Sequence, residues 1–307
     1  MLAGGAASLL LLVSLAGHLG RLGWAFDMAS HFRFQYLVCS MACLVVLAVV
    51  RARWLLVAAG AALVVNAAEV VPWSFDGVRD PGWSGKTSLT LLSANVCNLN
   101  EEHGPFLELI RERDPDVIVL VEATDEWVAA LEAIKEAYPF SEQATREDPF
   151  GIALYSRVPF DEMRVEKFGR AGVPSIVARI TLNWRPVTIV ATHPLAPFNP
   201  RLWRLHNEQL EAIAEARESF GERLIVAGDF NASPYSPWMK RFVARMGVRY
   251  TSRGYGFQPT WPTYRRAFFT PLDHILVSEG FGVTEFLVGP DIGSDHLPVQ
   301  ATIVSRE

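Results

Sequence analysis

The order of apolar and polar positions divides the chain into two unlike regions. Residues 3–19 are apolar apart from Ser8, Ser14 and His18. Residues 36–50 form a second apolar run, closed by Arg51-Ala52-Arg53, and residues 54–71 a third, interrupted by Asn66 and Glu69. With its flanks each run approaches the about 20 residues that cross a bilayer, and none shows the polar face of a soluble helix. The pattern predicts three membrane-spanning helices within residues 1–73. A cleaved signal peptide fits the first run poorly, because its start lacks the usual basic residues and further apolar runs follow. The tight basic turn at residues 51–53 belongs on the cytoplasmic side. Residues 20–33 then form an outer loop, although Arg21 and Arg33 weaken the contrast, and everything after Pro72 lies outside. Trp54 and Trp73 flank the third run, where interfacial Trp is favoured.

Beyond it the pattern changes. Residues 74–86 contain Asp76-Gly77, Asp80-Pro81-Gly82 and Ser84-Gly85, the composition of a short linker. From residue 87 to 307, short apolar runs alternate with amphipathic stretches. Strands are predicted at residues 89–92 (running to Asn95), 117–121, 152–155, 163–166, 175–180, 187–191, 224–226, 275–277, 284–288 and 299–303. Helices are predicted at 106–113, 126–137 (capped by Thr124 or Asp125), 202–217 and 238–246. Strands outnumber helices, and the helices fall between strand pairs. Two packed sheets with helices outside fit this order.

Composition changes the picture little. The 307 residues carry a formal net charge of -5 and are 50% hydrophobic, with the apolar excess concentrated at the N-terminus. The acidic balance argues against a nucleic-acid binder, which usually shows a basic face. Three cysteines make no disulfide framework. Cys39 and Cys43 sit in an apolar run, where packing is the default, and Cys97 receives no role.

The candidate chemistry lies where strands end. Residues 224–226 (Leu-Ile-Val) lead through Gly228 to Asp229 and Asn231, which an extended chain would point to one side. Asn95 ends the first strand, Glu122 abuts residues 117–121, and His193 follows another buried run. Asp273 precedes residues 275–277, and Asp295-His296 lies between two turns next to the last strand. Singly, each is equally a turn, a cap or a structural residue. Together they are the inventory for metal-assisted hydrolysis of a phosphate ester. Glu122, with Asp295 and Asn95, can hold a hard divalent cation through oxygen. Asp229 can take a proton from, or orient, an attacking water, and Asn231 can donate to a phosphate oxygen. His296 paired with Asp273, with His193 as a second imidazole, can stabilise charge on the phosphoryl group.

The set Asn95, Glu122, Thr192-His193, Gly228-Asp229-Phe230-Asn231, Asp273-His274 and Ser294-Asp295-His296 resembles the endonuclease/exonuclease/phosphatase (DNase I-like) superfamily, in that family's order and over residues 87–303. The resemblance implies a four-layer αββα sandwich of the α/β (α+β) class and Mg²⁺ or Mn²⁺ as cofactor. It implies Glu122 as the main metal ligand, Asp229 as the residue that positions or deprotonates water, and His193 and His296 at the scissile phosphate, with Asp273 orienting His296. Thr192–Pro197, Gln258–Pro262 and Gly289–His296 resemble a membrane-anchored bacterial branch that includes a protein associated with resistance to teicoplanin-type glycopeptides. That implies a multi-pass protein of the bacterial cell membrane, with its catalytic domain outside the cytoplasm and a phosphate-ester substrate that is lipid-linked. Residues 197–203 and 261–264, beside Arg201, Arg204, Arg265 and Arg266, are candidates to line the cleft or to form a solvated basic face. The alternatives are a Mg²⁺-dependent nuclease of the DNase or abasic-endonuclease type, which would need a basic groove, and a non-catalytic membrane scaffold.

Overall fold

The computed structural model describes residues 2–75, 77 and 88–305. Most of the stretch read as a linker therefore lies outside the described residues. Twelve strands among these form two six-stranded sheets. The first contains β1 (Ser88–Asn95), β2 (Val117–Val121), β3 (Phe140–Ala144), β4 (Ile152–Ser156), β11 (Phe281–Val288) and β12 (Val299–Ser305), in the order β11-β12-β1-β2-β4-β3. The second contains β5 (Phe160–Lys167), β6 (Pro174–Leu182), β7 (Arg185–Thr192), β8 (Leu224–Asp229), β9 (Val248–Tyr250) and β10 (Asp273–Ser278), in the order β5-β6-β7-β8-β10-β9. At the centre of each, one pair runs parallel: β1 with β2, and β7 with β8. Helices α5 (Gly104–Arg113) and α6 (Asp125–Leu131) connect strands of the first sheet, and α7 (Pro200–Glu215) and α8 (Pro237–Met246) those of the second.

Side-chain alternation explains why the central strands are apolar throughout. In β2, Val117, Val119 and Val121 face the other sheet, with Ile225 and Ala227 of β8 and Ile275 and Val277 of β10 in the same cluster. Ile118 and Leu120 face outward, onto Phe106, Leu109 and Ile110 of α5 and Trp127 of α6. Leu224 and Val226 likewise pack outward against Leu210 and Ile213 of α7 and Met239 and Phe242 of α8. Strands covered on both faces need no polar alternation. The four layers α-β-β-α are those expected. Helix α6 is shorter than expected, giving way after Leu131 to a tighter turn over Glu132–Ile134; Thr124 caps it by accepting the Trp127 N–H. Strands β3 and β9 were not expected. β3 reads Phe-Ser-Glu-Gln-Ala and lies at a sheet edge, so pairing with β4 rather than apolar pattern makes it a strand.

Before the sheets come α1 (Leu2–Ala16), α2 (Trp24–Ser30), α3 (Arg33–Val49) and α4 (Arg53–Val70). By length and composition, the helical stretches Gly5–Leu22 and Arg53–Ser74 can each cross a membrane; α2 and α3, bent by 67°, make a third span only if the pair counts as one. Residues 20–33, expected to be an outer loop, include α2. Arg33, expected to weaken a loop's charge contrast, is buried between helices, where Nη1 donates to Ser14 O (2.6 Å) and to Asn66 Oδ1 (3.4 Å). Its charge is held by the bundle rather than offered to the membrane surface.

Candidate active site

Parallel pairing sends β1, β2, β7 and β8 toward one end of the two sheets, and β10 starts at that end because it runs antiparallel to β8. Asp273 therefore stands directly opposite Asp229. The structure brings all eight expected residues, Asn95, Glu122, His193, Asp229, Asn231, Asp273, Asp295 and His296, to this end.

The backbone is unusual where it matters. Glu122 has φ 62° and Asn231 φ 49°, a region that non-glycine residues seldom enter. At Gly228 (φ 145°) a Cβ would lie 2.0 Å from Thr192 O, so only glycine lets β8 approach β7 there. Asp229 and Asn231 do not share a face by strand alternation. The chain turns left-handed at Asn231, whose N–H donates to Asp229 Oδ1 at 2.7 Å. The pair is therefore a turn, and that turn is what brings the two side chains together.

Asp229 is buried at the centre. Asn95 Nδ2 donates to its Oδ2 at 3.1 Å, His193 Nε2 stands 3.4 Å from that oxygen and His296 Nε2 3.6 Å. Asn231 Nδ2 is 3.1 Å from His193 Nε2 and donates to Pro194 O at 3.0 Å. His296 Nδ1 meets Asp273 Oδ2 at 2.8 Å, forming the expected pair. Ser294 Oγ accepts the His296 N–H (3.1 Å) and donates to Asn95 O (2.8 Å), tying that loop to β1.

These contacts set the charges. Burial alone would raise the Asp229 carboxyl, but the His296 charge, His193 and the Asn231 N–H outweigh it and hold it well below the usual carboxylate range. Burial works against the His296 imidazolium, yet Asp273 and Asp229 raise it to about 10. Burial also opposes charge on His193, and its bond to Asp229 raises it nonetheless. Burial pushes the Asp273 carboxyl up, against the pull of His296.

Among the described residues, ligand atoms of Asp229, Asp273 and His296 all lie within 4.8 Å of one another, close enough to hold a metal ion. Here the His296 imidazole bridges the two carboxylates, so its charge already offsets part of theirs. Glu122 and Asp295 add two further carboxylates. Glu122 Oε1 accepts from Asn95 Nδ2 (2.9 Å) and Oε2 from the Asn98 N–H (3.0 Å); Asp295 Oδ2 accepts from Trp261 Nε1 (3.0 Å). As placed, Asn95 presents its Nδ2 to the carboxylates while Oδ1 accepts the Cys97 N–H, so it orients Glu122. Four carboxylates (Glu122, Asp229, Asp273 and Asp295) around two imidazoles leave negative charge in excess, and the donors are hard oxygens. Such a set fits a divalent cation.

Glu122, His193, Asp229, Asn231, Asp295 and His296 line one cavity of about 650 Å³, while Asn95 and Asp273 are outside its lining. Its wall also includes Phe150, Pro197, Phe198, Trp261 and Tyr264, so of the two readings of residues 197–203 and 261–264 the cleft lining holds for Pro197, Phe198, Trp261 and Tyr264. Arg201, Arg204, Arg265 and Arg266 lie outside this lining. Trp203 turns instead to Asp27 Oδ2, donating at 2.8 Å. Four lining residues come from a segment given no such role: Trp24, Met28, His31 and Phe32. Their spacing of four, seven and eight from the first is that of one helix face, the signal that could have found them.

The sequence pattern of the Endonuclease/Exonuclease/phosphatase family matches residues 92–296. No curated protein matches the chain. Solved structures share the fold at low identity. A humanised TDP2 of D. rerio is 19% identical with a TM-score of 0.59, covering 71% of this chain and 99% of its own. The human Nocturnin catalytic domain with bound sulfate is 18% identical with a TM-score of 0.59, covering 74% and 99%. An endonuclease/exonuclease/phosphatase from Beutenbergia cavernae is 18% identical with a TM-score of 0.56, covering 71% and 72%. The family match spans most of both sheets and every residue of the site, and the chain belongs to the endonuclease/exonuclease/phosphatase family of ester-bond hydrolases.

Proposed function

We propose that the protein is a membrane-anchored, divalent-metal-dependent phosphoesterase that attacks a lipid-linked phosphate ester with water at the outer face of the bacterial cell membrane. The observation that carries this is the cavity itself. The family's charged residues and an apolar wall from the N-terminal helical region line the same space. Glu122 and Asp295, with Asn95 orienting Glu122, would hold Mg²⁺ or Mn²⁺, which when bound supplies polarisation of a phosphoryl oxygen. Asp229, kept anionic, orients the attacking water and accepts its proton. His296, kept charged by Asp273, and His193 donate to the phosphoryl oxygens as charge builds there. Asn231 donates alongside them and holds His193 in place. Among the described lining residues there is no Lys or Arg. A nucleic-acid backbone would call for several, which favours this reading over a nuclease.

The test uses the purified full chain in nanodiscs, with p-nitrophenyl phosphate and bis-p-nitrophenyl phosphate as probes and a single-stranded oligonucleotide as comparison. Turnover should require Mg²⁺ or Mn²⁺, stop on chelation, and fall roughly a thousandfold in Asp229→Ala. Equal activity in wild type and variant, or turnover indifferent to chelator, would refute the assignment. Faster cleavage of the oligonucleotide would favour the nuclease.

A further inference from the structure

We propose that α2 and the turn that follows it are the specificity wall of this site: Trp24, Met28 and Phe32 hold an apolar chain carried by the substrate, while the strand ends hold its phosphate. The proposal rests on the phosphoesterase reading above and adds where the rest of the substrate lies.

Three observations carry it. First, α2 is fixed against the catalytic layers by buried bonds rather than resting on them. Asp27 accepts from Trp203 Nε1 (2.8 Å) and Ser236 Oγ (2.7 Å). His31 Nδ1 accepts the Ser233 N–H at 3.0 Å, and Thr270 Oγ1 donates to His31 O at 3.1 Å. The wall is thus a standing part of the pocket. Second, that wall is apolar where it meets the cavity. Trp24 Nε1 is spent on Pro197 O at 2.7 Å, leaving the ring for apolar contact, with Met28 one turn on. Because His31 Nδ1 is an acceptor, its ring proton sits on Nε2, and His31 can give the cavity a single neutral donor. Third, the wall leads to the membrane region. α2 lies between two apolar helices; Leu22 just before it is 75% exposed and Phe26 within it 40% exposed. At the cavity itself Phe198 is 73% and Tyr264 66% exposed. With the flanking apolar helices in a bilayer, a chain leaving the pocket along α2 would follow these exposed apolar side chains toward it, which a water-soluble phosphate would not need.

The experiment compares methyl and dodecyl esters of the ester class that wild type hydrolyses, with protein in nanodiscs. Wild type should prefer the dodecyl ester in kcat/KM by on the order of a hundredfold. Trp24→Ala/Met28→Ala should lower that preference about tenfold, and Met28→Ala, which removes none of the hydrogen bonds that fix α2, should lower it in part. Trp184→Ala, on the 98% exposed Trp184 outside the pocket, should leave it unchanged. A preference equal in wild type and both α2 variants overturns the proposal. Dodecylphosphonate binding by calorimetry reads the same wall without turnover. Tight binding weakened by Met28→Ala supports the wall even if no ester is cut, which would fault the hydrolase reading alone. Binding no better than that of methylphosphonate overturns the wall.

Discussion

Glu122 and Asn231 hold left-handed backbone with ordinary side chains, and both stand at the site. Such conformations cost on the order of 1 kcal/mol or more and persist where surrounding bonds over-determine them. Here the Asn95 and Asn98 donors fix Glu122, and Asp229 fixes Asn231. The sequence showed which residue types stand at strand ends. It did not show the left-handed backbone at Glu122, because a left-handed Glu leaves no compositional mark. His274 makes the complementary point. It neighbours Asp273 yet faces the outer layer, 5.1 Å from the Tyr250 ring, with Nε2 at 3.0 Å from Ala232 O. Burial holds its imidazole down at about 4, against an ordinary value of 6.5. Between those values the unfolded chain binds a proton that the native state refuses. Its contribution to stability is therefore complete above about 6.5 and is lost as pH falls toward about 4. The loss is on the order of 3 kcal/mol. Denaturation followed across that window should show a shallower acid slope in His274→Gln than in wild type; identical slopes would mean His274 is not held neutral.

At the scale of elements, strand order and strand ends were readable because buried strands are continuous apolar runs with a polar residue where the chain turns. β3 and β9 escaped because edge strands owe their form to pairing, a long-range fact. α2 escaped for a similar reason. A seven-residue helix between apolar runs reads as a loop until its partners in α7 and the turn before α8 are known. Its hold on those partners is concentrated in Asp27. Asp27→Ala removes both acceptors and leaves two donors inside, at a cost of about 2–4 kcal/mol. Hydrogen exchange should show the amides of α2 losing protection while those of β8 and β10 keep theirs. Equal protection in variant and wild type would mean that α2 is not fastened through Asp27.

Over the whole molecule, the helical region and the sandwich meet at one end of the helices. Contacts to the catalytic layers come from residues 20–35, from Trp73 against Tyr235 and Tyr250, and from Glu69, whose carboxylate pairs with Lys240 at 2.6 Å. The basic turn at residues 51–53 lies between α3 and α4, at the other end of both. On the proposed function, a turn of that kind is retained on the cytoplasmic side, which would put the cavity at the outer face, where a substrate anchored in that leaflet would meet it. Two or three apolar helices, the sandwich and the family were within reach of sequence alone. The docking of one region on the other was not, because it rests on single polar residues such as Asp27 and His31, scattered in apolar surroundings. The most direct measurement is the side on which the catalytic layers stand. Cys39, Cys43 and Cys97 are replaced by serine, and a single cysteine is placed by Trp184→Cys in the sandwich or by Ala52→Cys in the basic turn. A membrane-impermeant maleimide is then added to intact cells. The account predicts labelling of the Trp184→Cys chain in intact cells and of the Ala52→Cys chain only after permeabilisation. The reverse pattern would place the cavity in the cytoplasm and contradict it.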